Sequence, residues 1–346
     1  MQSRHSCKPC KHSPGLATII LLGLTACGDK SPPPVESVPA SEFDAALRSR
    51  ISVSGVSSGG YMAVQSHVAF ADRIGGVAVV AGGPYHCAAG DVKTALGKCM
   101  TGEALSAEPM ISFANAAAAA GSITATDDMR DARVWIFHSP ADGLVSPRAG
   151  EALADFYGAF VSTENIATVN HIETAHGWAT VNNGGACEER GGDYINACNY
   201  DTAGELLRHL HGELQPPAAE AINDHLDVID LGRFFGSGSH IADEGFAYVP
   251  ADCRSASAEC RLHVAIHGCV QGAEFVEDRF VRQAGFNEWA ESNRIVVLYP
   301  QVNKSMMNPQ GCWDWWGYTG ADYDRRDGKQ IAGIAALIAA WSVQDN

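Results

Sequence analysis

The chain has 346 residues, with 24 Lys and Arg against 40 Asp and Glu, for a formal net charge of −16. That acidic balance, without a basic patch, excludes nucleic acid as a partner, because nothing is present to neutralise phosphates. A composition that is 46% hydrophobic, with 36 glycines and strand-like apolar runs alternating with helix-like ones, is that of one compact α/β domain.

Arg4, Lys8 and Lys11 precede an apolar stretch from Leu16 to Leu24 that is too short to span a bilayer as a stable helix and reads as a secretion signal. It ends in Leu24-Thr25-Ala26-Cys27, which resembles a bacterial lipobox. Residues 1–27 are therefore expected to be a lipoprotein-type signal, with Cys27 acylated and anchoring the chain to the cell-envelope membrane. Gly28 stands where inner-membrane lipoproteins often carry Asp, which favours the outer membrane. An ordinary cleaved signal with a fortuitous cysteine, and hence secretion, is the alternative. Residues 28–42, rich in proline, read as an extended tether, and residues 43–346 as a single folded domain. Without the three basic residues of the leader, which carries no acid, the net charge is −19.

Ile51-Ser52-Val53-Ser54 alternates as a strand and Tyr61 to His67 continues as a helix, with Gly55-Val56-Ser57-Ser58-Gly59 between them. G-x-S-x-G carries weight in that strand–turn–helix context, where flanking glycines permit the sharp turn that holds a serine hydroxyl out at the carboxyl end of a sheet. A Ser/Gly-rich surface turn is the bland alternative. A serine hydroxyl at neutral pH needs an imidazole to take its proton and a carboxylate to orient that imidazole. Val134 to Phe137 reads as a buried parallel strand leading into His138-Ser139-Pro140-Ala141-Asp142-Gly143, which makes Asp142 the candidate acid, although Asp-Gly is also common turn chemistry. Of 13 histidines, His176 is the candidate base: it lies in a loop after the extended Ile166–Val169 segment and completes the order Ser, Asp, His. His138, which could line the site, and His171, readable as a core histidine, are its rivals.

The stretch from Leu214 to Asp243, with Pro216-Pro217 and Gly236-Ser237-Gly238-Ser239, reads as a connection within one sheet. After it, Leu262 to Ile266 forms a strand that runs into His267-Gly268-Cys269. Acyl transfer needs two preorganised N–H donors at the oxyanion, and losing one costs about 10²–10³ in kcat. The backbone N–H of Ser58, the residue after the nucleophile, is one candidate. The Cys269 N–H is the other, with His267 shaping the turn through its ring. Phe280 to Asn293 is expected as one amphipathic helix, Ile295 to Tyr299 as a second apolar strand and Gln330 to Trp341 as a closing helix. In an α/β-hydrolase the His-Gly oxyanion strand precedes the serine, whereas here it follows by more than two hundred residues. The chain thus reads as a circularly permuted α/β-hydrolase, a mostly parallel sheet flanked by helices, with Phe43 to Leu47 expected near the closing helix.

The segments Cys260 to Gln271 and Cys312-Trp313-Asp314-Trp315-Trp316-Gly317-Tyr318 resemble the poly(3-hydroxybutyrate) depolymerase family of esterases, in the variant whose oxyanion histidine lies C-terminal to the triad. The resemblance runs from about Arg50 to Ala340. It implies Ser57 as nucleophile, Asp142 as orienting acid, His176 as base, the Ser58 and Cys269 amides as oxyanion donors, no cofactor, and a short-chain polyhydroxyalkanoate or its oligomers as substrate. Ser58 departs from the Ala that secreted members often carry after the nucleophile, but the donor N–H survives the change. His267, Trp313, Trp315, Trp316 and Tyr318 are the substrate-binding candidates, the aromatics as an exposed platform for a greasy chain. The alternation of Trp313 and Trp315 around Asp314 is equally that of a buried strand. Related esterases on this scaffold cleave feruloyl or acetyl esters of plant polysaccharide, and a non-catalytic surface adhesion lipoprotein could use the same aromatic face.

Of 11 cysteines, Cys7, Cys10 and Cys27 belong to the leader and eight remain. An even number in an exported domain suggests disulfides, and sequence neighbours invite Cys87–Cys99, Cys187–Cys198, Cys253–Cys260 and Cys269–Cys312. Metal binding is disfavoured, since the exported part has no C-x-x-C or H-E-x-x-H spacing.

Overall fold

The computed structural model describes residues 44–255 and 259–342, so the signal, Cys27, the tether and Phe43 lie outside the described residues. Eleven strands occur among these: β1 (Ile51–Val56), β2 (Gly76–Val80), β3 (Arg133–Phe137), β4 (Ile166–Val169), β5 (Trp178–Thr180), β6 (Gly185–Ala186), β7 (Ile195–Ala197), β8 (Leu226–Asp230), β9 (Glu244–Tyr248), β10 (Arg261–Ile266) and β11 (Ile295–Tyr299). Eight of them form one sheet in the order β4-β3-β2-β1-β10-β11-β9-β8, parallel except where β9 pairs with β11 and β8. β5, β7 and β6 form a small separate sheet.

The central strands are near-continuous apolar runs because both sheet faces are covered. Val77 and Val79 of β2 and Val134 and Ile136 of β3 enter one core, with the helices Ser58–Ala69, Pro147–Gly158 and Lys329–Ser342. Ala78, Val80, Trp135 and Phe137 enter the other, with Thr202–His211 and Phe286–Asn293. This period-two division puts successive side chains into opposite layers. β1 keeps the alternation but puts polar groups on one face: Ile51 and Val53 enter the first core, while Ser52 and Ser54 are buried opposite, and both hydroxyls bond the ring of His263 on β10 at 2.8 Å.

The permutation is visible in the strand order. Starting the chain at β8 and passing from β11 through the closing helix Lys329–Ser342 into β1 gives the usual hydrolase progression, with a single strand exchange at β10 and β11. Leu47 and Trp341 pack at the margin of the same core. Two sequence expectations change. Phe280–Asn293 is two helices, Arg279–Gln283 and Phe286–Asn293, because Gly285 at φ 87° caps the second and breaks the run. The Leu214–Asp243 connection contributes the edge strand β8.

Candidate active site

The pairing of β1 with β10 builds the centre of the site. Their register matches Gly55 with Ile266, so the chain two residues further on brings Ser57 level with Gly268. A Cβ on Gly268 would lie 3.4 Å from the Ser57 Cβ. Ser57 sits between β1 and the Ser58–Ala69 helix at φ 57°, ψ −121°, a strained backbone for a residue with a side chain, and its N–H donates to Val80 O at 2.9 Å. The flanking glycines are sterically required: a Cβ on Gly55 would meet Gly59 O at 2.1 Å, and one on Gly59 would meet Ile266 O at 2.3 Å.

Asp142 lies five residues beyond β3, where it forms an Asx turn. Its Oδ1 accepts the N–H groups of Leu144 at 2.8 Å and Val145 at 3.0 Å, and its Oδ2 accepts Nδ1–H of His176 at 2.7 Å. Burial pushes the Asp142 pKa up, but the His176 bond and charge and the two amides outweigh it and hold the carboxyl below its ordinary value. His176 is 3% exposed. Its loop is pinned by Thr174 N–H to Ser139 Oγ at 2.9 Å and Ala175 N–H to Cys187 O at 2.9 Å. The rivals separate cleanly. His138 donates Nε2–H to Val145 O at 2.9 Å, its Nε2 stands 3.7 Å from Asp142 Oδ2, and burial lowers its pKa, so it packs beside Asp142 as a neutral ring. His171 is exposed, not a core histidine.

At the end of β10, His267 donates Nδ1–H to Gly268 O at 2.7 Å and accepts the Val302 N–H at Nε2 at 3.3 Å. Burial pushes its pKa down to about 4, so the ring is neutral. In a trans peptide the carbonyl and the following N–H point in opposite directions. Holding Gly268 O against the His267 ring therefore turns the Cys269 N–H away from that ring. Neither the Ser58 nor the Cys269 amide donates a hydrogen bond among the described residues, and both residues line the cavity onto which Ser57 and His176 open. That cavity measures about 460 Å³. Its walls include Tyr61, Tyr194, Trp315 and Trp316, and Leu96, Leu144 and Met307 stand at its margin, exposed by 61%, 38% and 64%.

No family model matches the chain. A poly(3-hydroxybutyrate) depolymerase of Delftia acidovorans is 36% identical over 318 residues, which span 91% of this chain and 63% of that protein's length. A polyhydroxybutyrate depolymerase of Talaromyces funiculosus is 33% identical over 307 residues, spanning 83% of this chain and 88% of the relative. The chain belongs to the poly(3-hydroxybutyrate) depolymerase family. Among solved structures, a PHB depolymerase complexed with R3HB trimer superposes with a TM-score of 0.79 at 30% identity, over 84% of this chain and 95% of that one. The PHB depolymerase from Penicillium funiculosum gives 0.77 at 31% identity over the same shares.

Within this depolymerase-family site the aromatic expectation needs correction. Trp313 is 0% exposed and packs its ring 5.7 Å from His267, so it is core and not platform. Tyr318 points its hydroxyl inward, donating to Cys312 O at 2.8 Å and accepting from Gln330 Nε2 at 2.9 Å, away from the cavity lining. His267 acts on the turn from behind and does not line the cavity. Trp315 and Trp316 do line it, Trp315 stacked on Tyr61 at 4.3 Å between centroids. The residue sequence reasoning missed is Asp314. Its buried carboxylate takes the N–H groups of Gly317 at 2.7 Å, Tyr318 at 3.0 Å and Thr319 at 2.8 Å and the Thr319 hydroxyl at 2.6 Å, winding the tryptophan-rich loop around itself. An Asp among tryptophans was its only sequence signal.

All four expected disulfides are present. Cys269–Cys312 joins the His267-Gly268-Cys269 turn to the tryptophan-rich loop, and the set as a whole is that of a chain matured in an oxidising compartment.

Proposed function

We propose that this chain is a serine esterase that hydrolyses poly(3-hydroxybutyrate) or its oligomers through an acyl-enzyme intermediate. The observation that carries the reading is the Asp142–His176 bond facing the same apolar cavity as a strained Ser57 and two unpaired amides. With Nδ1–H committed to Asp142, His176 Nε2 is the free base. Ser57 lines the same cavity as His176, and its Oγ makes no competing hydrogen bond among the described residues, which leaves it to bond Nε2 in the complex with substrate. Oγ attacks the ester carbonyl, its proton passes to Nε2, and the oxyanion receives the N–H groups of Ser58 and Cys269. Collapse breaks the carbonyl–alkoxy bond, and His176 returns the proton to the departing hydroxyl end of the chain. Water, deprotonated by the same nitrogen, then releases the acyl group. Apolar walls with the indoles of Trp315 and Trp316 suit an uncharged polyester of short aliphatic repeat. The finer location follows from the sequence: acylation of Cys27 would tether the enzyme to the cell envelope, and mass analysis of the mature N-terminus distinguishes a lipidated Cys27 from a plain cleaved end.

The test is product release from amorphous poly(3-hydroxybutyrate), with feruloylated and acetylated xylan beside it. Wild type is expected to release hydroxybutyrate monomer or dimer, and Ser57→Ala to lose on the order of 10⁶ in kcat. Ferulate or acetate without hydroxybutyrate would replace the substrate. Turnover retained by Ser57→Ala would end the mechanism.

A further inference from the structure

We infer that Gln271 is a positioning residue that locks the oxyanion turn and the loops around the catalytic base into one frame, an inference that rests on the serine esterase reading above. Gln271 is 1% exposed. Its Oε1 accepts the N–H of Gly268 at 2.7 Å, and its Nε2 donates to Asp193 O at 3.0 Å and Tyr194 O at 3.2 Å. These partners leave the amide one orientation, since an N–H requires the oxygen and two carbonyls require the NH₂.

Both ends of that bridge touch the reaction. On one side, Gly268 is held at its N–H by Gln271 and at its carbonyl by His267, which fixes both peptide planes that flank its Cα and with them the direction of the Cys269 donor. On the other, Tyr194 packs edge-on to the His176 ring at 6.2 Å, and its carbonyl also accepts the N–H of Trp178, two residues beyond the base, at 2.8 Å. Tyr194 sits at φ 55°, a conformation its neighbours must enforce. One buried amide thus spans two segments separated by more than seventy residues and sets the distance between the oxyanion donor and the base. Loss of the bridge leaves a buried N–H without a partner and frees the turn. The displacement acts where charge develops, in the transition state, and not on ground-state binding.

The experiment uses the purified protein with Gln271→Glu, which keeps the shape but sets a carboxylate against two carbonyl oxygens, and Gln271→Met, which keeps the volume without polar atoms. Hydrolysis of p-nitrophenyl butyrate gives kcat and KM, and an aliphatic trifluoromethyl ketone, whose adduct with a serine hydroxyl carries the oxyanion, gives a matching inhibition constant. Both variants are expected to lose about 10- to 100-fold in kcat with KM little changed, and to bind the ketone more weakly by a similar factor. A kcat like wild type, or a loss confined to KM with ketone affinity intact, would overturn the assignment. If Gln271→Met melts below the assay temperature, the isosteric Gln271→Glu decides alone, and should it melt as well, full recovery of wild-type kcat in the refolded protein at low temperature would equally count against the role. Ser57→Ala separates the two levels: turnover that does not depend on Ser57 sinks the esterase reading, whereas Ser57-dependent turnover indifferent to Gln271 sinks only this inference.

Discussion

Asp142 divides its two oxygens between two tasks. Oδ1 closes its own turn on Leu144 and Val145, while Oδ2 holds Nδ1–H of His176. Asp142→Asn tests the second task with little disturbance to the first, because an amide oxygen still accepts the two backbone N–H groups whereas its NH₂ cannot accept from His176. The imidazole then takes the opposite tautomer and presents N–H, not a lone pair, to Ser57. The expected outcome is a fall in kcat on the order of 10⁴ with the melting temperature near wild type. A loss below tenfold would mean that His176 is oriented by something else, with His138, 3.7 Å from the same oxygen, the first alternative to examine. The grouping of Ser57, Asp142 and His176 at one place was legible in the sequence because the chemistry proposed for them restricts residue type and because each follows a strand in the required order. Gln271 and Asp314 were not, since their partners are backbone groups that only the folded turns bring within reach.

At the scale of elements, the site depends on how closely the Ser58–Ala69 helix presses onto the end of β10. Gly59 is the contact. A methyl group there would meet Ile266 O at 2.3 Å and His267 O at 2.4 Å, which are backbone atoms that cannot rotate aside. Gly59→Ala should therefore push the nucleophile turn away from the oxyanion turn, lowering stability by at least about 1–3 kcal/mol in urea denaturation and lowering kcat with it. Gly158, at the end of the Pro147–Gly158 helix with open space around its Cβ direction, serves as control, and Ala there should stay within about 0.5 kcal/mol. Equal effects at the two glycines would remove the steric account. The strands were readable because burial on both faces makes them continuous apolar runs, and the closing helix because it is long and apolar. What composition could not reveal was local interruption and depth: Gly285 splits a run that is amphipathic throughout, and the alternation around Asp314 fits an exposed platform and a buried strand equally, while Trp313 packs inside.

For the molecule as a whole, the permutation was readable from motif order alone, since the strand pairing that joins Ser57 to Gly268 requires β1 and β10 to be neighbours wherever the chain begins. The same tight double-layered packing has a second consequence, in acid. His67 lies fully inside it and His211 at its half-buried margin, and burial, aided by the Arg48 charge at His67 and the Arg261 and Arg133 charges at His211, pushes both pKa values down to about 3. Burial brings His267 to about 4 despite its bond to Gly268 O. In the unfolded chain these rings titrate near their ordinary value of 6.5. Between about pH 6.5 and 4 the unfolded state thus binds protons that the folded state refuses, so their contribution is fully present above pH 6.5 and is lost as the pH falls, at about 1.4 kcal/mol per pH unit for each histidine. Urea midpoints measured across that range should fall steeply toward acid. His67→Phe, which keeps an aromatic ring beside Tyr157 but cannot titrate, should give a slope shallower by about 1.4 kcal/mol per pH unit. A profile flat from pH 6.5 to 4, or one unchanged by His67→Phe, would show that the buried histidines take up protons in the folded protein and that these layers open more readily than their packing indicates.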